Sequence, residues 1–146
     1  MPELTNFSIA HWIETTPEVV WNAYTTPEIF AQFFSPVGLS VPIDSVVLDA
    51  RPGGRFECTM VVDETGEEYV NAGTYLEVSE PNFFSCSEQG MQLISNQTFT
   101  ASGTGTLIEV LQTNIPIEFV GPGVEDAFRS TWVKLGNVLG VATKPR

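Results

Sequence analysis

Hydrophobic and polar positions near the start of the chain recur with period two. Phe7, Ile9, His11 and Ile13 fall on one side, and Ser8, Ala10, Trp12 and Glu14 on the other. That alternation predicts a strand with one face toward a core. Two copies of one helix-start signal follow, Thr16-Pro17-Glu18 and Thr26-Pro27-Glu28. Each offers a hydroxyl N-cap, a proline at the first helical position and a carboxylate at the positive end of the helix dipole. Their spacing predicts two short consecutive helices, the second ending near Phe34 or Ser35 before Pro36.

Period two then returns. Pro52-Gly53-Gly54 is a turn, after which Phe56, Cys58, Met60 and Val62 alternate with Arg55, Glu57 and Thr59. Asp63 to Gly66 reads as a hairpin turn. A long strand is expected over 68–78, with Ala72, Thr74, Leu76 and Val78 on its more apolar face. A short strand over 83–87 follows, and strands 97–101 and 106–115 pair across Ser102-Gly103-Thr104-Gly105. Pro116 and Gly121-Pro122-Gly123 stop the sheet. Beyond them Val124, Phe128, Trp132, Leu135 and Leu139 recur at helical spacing, predicting an amphipathic helix of about 18 residues.

The expected fold class is therefore α+β: seven antiparallel strands, two short helices between the first and second, and one long C-terminal helix. A single helix covers such a sheet only if the sheet curls around it. A curled sheet gripping a helix leaves interior space between the two. No repeat or low-complexity linker divides residues 1–146, so one domain is expected.

Composition narrows the function. The chain has 146 residues, 42% of them hydrophobic, with 18 acidic and six basic side chains and a net charge of −12. Nucleic acid is bound largely by neutralising phosphates with Lys and Arg, and no basic residue occurs before Arg51 or between Arg55 and Arg129. Nucleic acid and anionic membrane surfaces are excluded as partners. Without a basic leader or a long apolar run the expected location is cytoplasmic. One histidine, His11, and two cysteines, Cys58 and Cys86, are too few for a zinc finger or a three-histidine zinc centre. No nucleophile elbow, P-loop or dinucleotide fingerprint is present. Neither a metal nor a cofactor is called for, and no catalytic set emerges. The meander places Cys58 and Cys86 on either side of an intervening strand, about 9–10 Å apart, beyond the ~7 Å reach of a disulfide.

The runs Ile13-Glu14-Thr15-Thr16-Pro17-Glu18-Val19-Val20-Trp21, Thr26-Pro27-Glu28 and Phe33-Phe34 resemble the opening of the SRPBCC (START / Bet v 1-like) superfamily. Within it they are most similar to the group named for the activator of the heat-shock-protein-90 ATPase. Asp49-Ala50-Arg51-Pro52-Gly53-Gly54-Arg55-Phe56, Gly73-Thr74-Tyr75-Leu76-Glu77-Val78 with Pro81, and Gly105-Thr106 extend the match along nearly the whole chain. Phe33-Phe34 stands where relatives carry paired tryptophans. The resemblance implies a helix-grip fold around a cavity for an apolar or aromatic small molecule, lipid- or polyketide-like. It equally admits a polyketide cyclase or dehydratase using the same cavity, or a partner that activates a chaperone ATPase. That co-chaperone carries this domain after a separate N-terminal one, for which this chain is too short. Fold alone does not choose among these functions.

Candidate cavity-lining residues are His11, Phe33, Phe34, Phe56, Cys58, Met60, Phe99, Val110, Gln112, Phe128, Trp132 and Leu135. His11 stands either as a polar anchor or acid–base group in the cavity, or as a hydrogen-bonded core histidine. The aromatic set reads both as lining and as ordinary core. Gln112 shares parity with Ile108 and Val110, which directs it inward, while Glu77 alternates outward. Arg51 and Arg55 are expected to pair with surface carboxylates.

Overall fold

The computed structural model describes residues 3–146. The first alternating run forms β1 (Leu4–Ile13). Thr16 caps α1 (Pro17–Thr25), its hydroxyl accepting from the Val19 amide at 3.3 Å. The second start signal acts differently: α2 (Pro27–Phe33) has no side-chain cap. The Thr26 hydroxyl instead donates back to Asn22 Oδ1 at 3.1 Å, because α1 ends directly against it and supplies a nearer acceptor.

Two short strands, β2 (Leu39–Ser40) and β3 (Val47–Leu48), precede the meander β4 (Arg55–Val62), β5 (Glu68–Ser79), β6 (Phe83–Glu88), β7 (Ile94–Ser102) and β8 (Gly105–Pro116). After α3 (Val124–Leu139) the chain adds β9 (Thr143–Pro145). The sheet runs β2-β4-β5-β6-β7-β8-β1-β9, with β3 also paired to β4. All its pairings are antiparallel. It therefore has nine strands rather than seven. The six long strands carry the period-two signal, whereas β2, β3 and β9 are too short to show one. The architecture is the α+β helix-grip arrangement, with α3 packed on the curved sheet.

The helix is 16 residues long rather than 18. It ends where Gly140 takes a left-handed conformation (φ 72°), the usual helix stop. Its inner face behaves as its spacing predicts: Trp132 and Leu135 are buried, and Phe128 and Leu139 pack on the core. At Gly136 an added Cβ would lie 2.6 Å from Thr143 Cγ2, so glycine there lets the tail turn back over the helix to form β9.

The face of β5 needs correction. Tyr75 is buried and Leu76 is 41% exposed, the reverse of the expected parity. Asn71, Gly73 and Tyr75 pair with Cys58, Phe56 and Cys86, all facing inward. A register shift between Tyr75 and Glu77 then inserts one residue and returns Val78 to the core side. Such a bulge inverts parity along a strand without leaving a polar–apolar signature. The core fills the space between this concave face and the helices. Trp21, Tyr24, Phe33, Phe84 and Phe99 meet there, with Tyr24 and Phe99 ring centroids 5.1 Å apart.

Among the described residues no helix is long and apolar enough to cross a membrane.

Candidate functional site

Because strand neighbours lie in register, the inward side chains form rows across the sheet. One row runs Tyr75, Cys86, Ser95, Gln112 and Phe7, and the next Phe84, Gln97, Val110 and Ile9. The rows do not fill the whole space beneath α3. A cavity of about 220 Å³ remains between them, the end of α2 and one face of the long helix. Phe34, Phe56, Met60, Val110, Phe128 and Trp132 give it apolar walls.

The helix wall is held by named contacts. Trp132 stacks on His11 (centroids 5.3 Å) and leans on Phe128 (5.8 Å), while its indole N–H donates to the Tyr24 hydroxyl at 2.9 Å. Near Phe34, Lys134 secures the segment that follows α2. Its ammonium donates to Ser35 Oγ at 3.1 Å and to the carbonyls of Pro36 and Leu39, each at 3.2 Å. The Val37 amide also donates to Ser130 Oγ at 3.2 Å. The cavity edge formed by residues 34–36 is thereby pinned to α3.

The polar lining is uneven. Gln112, Ser95, Gln97, Asn71 and Glu88 border the space, while Lys, Arg and His are absent from its lining among the described residues. Gln97 is 8% exposed and its carbonyl Oε1 has no hydrogen-bond partner. Buried polar atoms are nearly always satisfied, so this acceptor stands out. Glu88 ends β6, and burial raises its carboxyl above the ordinary carboxylate range.

The sequence model of the Activator of Hsp90 ATPase homolog 1-like protein family matches residues 14–140. The chain belongs to that family. No curated protein matches it. The fold recurs in a solved structure from Rhodobacter sphaeroides, with TM-score 0.84 at 15% identity over 95% of this chain and 94% of that one. A Nitrosomonas europaea protein gives 0.82 at 19%, over 92% and 94%. An AHSA1-like protein of Aeromonas hydrophila gives 0.78 at 19%, over 93% and 94%. At such identities the likeness is one of fold.

The residues read from the sequence divide between the cavity and the packed core. Phe34, Phe56, Met60, Val110, Gln112, Phe128 and Trp132 line the space. Phe33, Cys58, Phe99 and Leu135, each 0% exposed, belong to the packed core outside the lining. They share a face with lining residues but sit where helices or neighbouring rings close over them, as Tyr24 does over Phe33 and Phe99.

His11 also lies outside the lining, behind Trp132. Arg129 donates to its Nδ1 at 3.2 Å and to the Ala10 carbonyl at 2.9 Å. Because a guanidinium only donates, Nδ1 must accept, which leaves the imidazole neutral with its proton on Nε2. Burial and then the Arg129 charge lower its pKa to about 4. His11 is a core histidine rather than a cavity group: it stacks on Trp132 and accepts from Arg129 through Nδ1, and its Nε2 is buried without a partner. Arg51 and Arg55 pair with Asp49 and Glu57 on the surface.

Asn71, Glu88, Ser95 and Gln97 were not singled out by pattern. Gln97 and Ser95 share parity with Phe99, and Glu88 shares parity with Phe84 and Cys86. Continuing each strand by one to three residues reaches Glu88 and Ser95, and the parity of the strand then directs all three inward.

Proposed function

We propose that this domain is a small-molecule-binding protein that holds an apolar or aromatic ligand, lipid- or polyketide-like in character, between the curved sheet and the C-terminal helix. The observation that carries this reading is the cavity of about 220 Å³ walled by Phe34, Phe56, Met60, Val110, Phe128 and Trp132. Ligand sites are typically concave and mostly apolar, with a few placed polar groups, and Gln97 and Gln112 supply such groups here. An edge pinned to the helix by Lys134 supports a pocket formed before the ligand arrives, which lowers the ordering cost of binding. Native mass spectrometry of freshly purified protein, followed by organic extraction, tests it. Retention of a small molecule, or saturable uptake from a lipid and polyketide screen, is expected. A protein that retains nothing and takes up nothing from that screen contradicts the proposal.

A second reading rests on Glu88. A carboxyl whose pKa is raised by burial, beside a mostly apolar pocket, has the character of a general acid–base group. A cyclase or dehydratase acting on a polyketide-like chain would use it. Under that reading Glu88→Gln abolishes turnover of a linear poly-β-ketone while the protein still binds it; unchanged turnover removes the reading.

A further inference from the structure

The polar groups of the cavity are unbalanced in a way that bears on which ligand fits. Glu88 brings a carboxylate, and no lysine, arginine or histidine lines the space among the described residues. The nearest interior cations are engaged elsewhere. Arg129 is held by His11, Ala10 and Glu125, and Lys134 by Ser35, Pro36 and Leu39. At a second point, the Gln97 carbonyl faces a buried setting with no donor. Phe84 pairs with Gln97 and Glu88 lies four residues further along the same strand, roughly 13 Å at 3.3 Å per residue. Gln97 Oε1 is itself buried away from the space, so Glu88 is the acceptor that a ligand head group meets.

An anionic head group such as a carboxylate or phosphate would find neutral amides and hydroxyls here but no cation among the described residues, and would meet the like charge of Glu88. A desolvated charge without a partner is strongly disfavoured. A head group that donates, and carries positive charge, finds the opposite: a carboxylate to pair with and aromatic faces that attract cations. The net charge of −12 also draws cations toward the protein and repels anions.

Resting on the ligand-binding reading above, we propose that the occupant of the cavity is an amphiphilic amine, its ammonium group at Glu88 and its apolar body against Phe34, Phe56, Phe128 and Trp132. Anionic amphiphiles such as fatty acids are the class the site rejects. Burial that raises the Glu88 carboxyl agrees with this, because an unpaired buried carboxylate lacks the counter-charge that an ammonium group brings.

The test uses three probes with one tail: 4-phenylbutylamine, 4-phenylbutanol and 4-phenylbutyrate, each titrated calorimetrically into the intact protein at pH 8. The amine is expected to bind about tenfold more tightly than the alcohol, the advantage of a charge-assisted over a neutral hydrogen bond. The carboxylate is expected to bind at least about tenfold more weakly than the alcohol, since it meets Glu88 as an unpaired like charge. In Glu88→Gln, with its fold checked by circular dichroism, the amine is expected to lose its advantage over the alcohol. Equal or tighter binding of the carboxylate, or an amine preference that survives in Glu88→Gln, overturns the inference while the ligand-binding reading stands. Failure of all three probes to bind, the neutral alcohol included, removes that reading and the inference with it.

Discussion

The indole N–H of Trp132 donates to the hydroxyl of Tyr24 at 2.9 Å. This bond joins the long helix to the first short helix within the cavity wall, where both side chains are almost fully buried. Burial raises the Tyr24 pKa well above that of a free phenol, so the hydroxyl stays protonated and accepts from the indole. Replacing Tyr24 by Phe leaves the Trp132 N–H buried without an acceptor. The expected cost is about 1–3 kcal/mol, the desolvation penalty of an orphaned donor. Urea melts of the variant and the parent measure it, and unchanged stability would show that the bond contributes nothing.

His11 makes the protein sensitive to acid. Its folded pKa of about 4 lies below the ordinary 6.5. Between those values the unfolded chain binds a proton that the folded chain does not, so stability present above pH 6.5 is lost as pH falls toward 4. The full effect is at most about 3 kcal/mol, at 1.36 kcal/mol per pKa unit. The 18 acidic side chains also titrate at the lower end of this range, so the informative quantity is a difference. In melts at pH 7, 5.5 and 4.5, the parent is expected to lose more stability than His11→Gln. Parallel losses would place His11 in a setting that tolerates its charge.

Cys58 and Cys86 flank β5, and both are buried and free. Burial, with Glu88 adding like charge, pushes each thiol to about 12. The thiolate is the reactive form, so native protein at pH 8 is expected to react very slowly with a disulfide reagent. After unfolding in urea, without reductant, two thiols per chain should react at once. Fast native reaction would mean that the strands open more readily than their burial implies.

Lys134 donates to one hydroxyl and two carbonyls in the segment after α2. Lys134→Met keeps the aliphatic stem and removes all three bonds. It is expected to cost about 1–3 kcal/mol and to speed amide exchange at residues 35–39, loosening the cavity edge. Exchange unchanged at those residues would assign the pinning to Ser130 alone.

Much of the architecture was legible because strands and helices with one buried face carry their period in the sequence. Gln112 shows this: parity with Ile108 and Val110 placed it inward, and it borders the cavity. Tyr75 and Leu76 show the limit, since the bulge that exchanges their faces depends on pairing with β6 rather than on either residue's type. Ser95 and Glu88 lie at strand ends that hydrogen bonding extends beyond the apolar pattern. Phe33 and Phe34 are chemically identical neighbours, yet one is core and the other lining. Helix rotation against the sheet separates them, and composition carries no trace of that rotation. His11 kept its predicted face, but its partner Arg129 lies 118 residues away, a contact only the fold creates.

A small molecule with an apolar body is expected to occupy the space beneath α3. Met60 lines that space and Met91 does not, so a protein labelled with ¹³C at the methionine methyls carries a reporter and a control. Titrating 4-phenylbutanol should move the Met60 resonance saturably, with ring-current shifts from the bound aromatic, while Met91 stays in place. A Met60 resonance that does not move at saturating probe, or that moves together with Met91, would contradict the account.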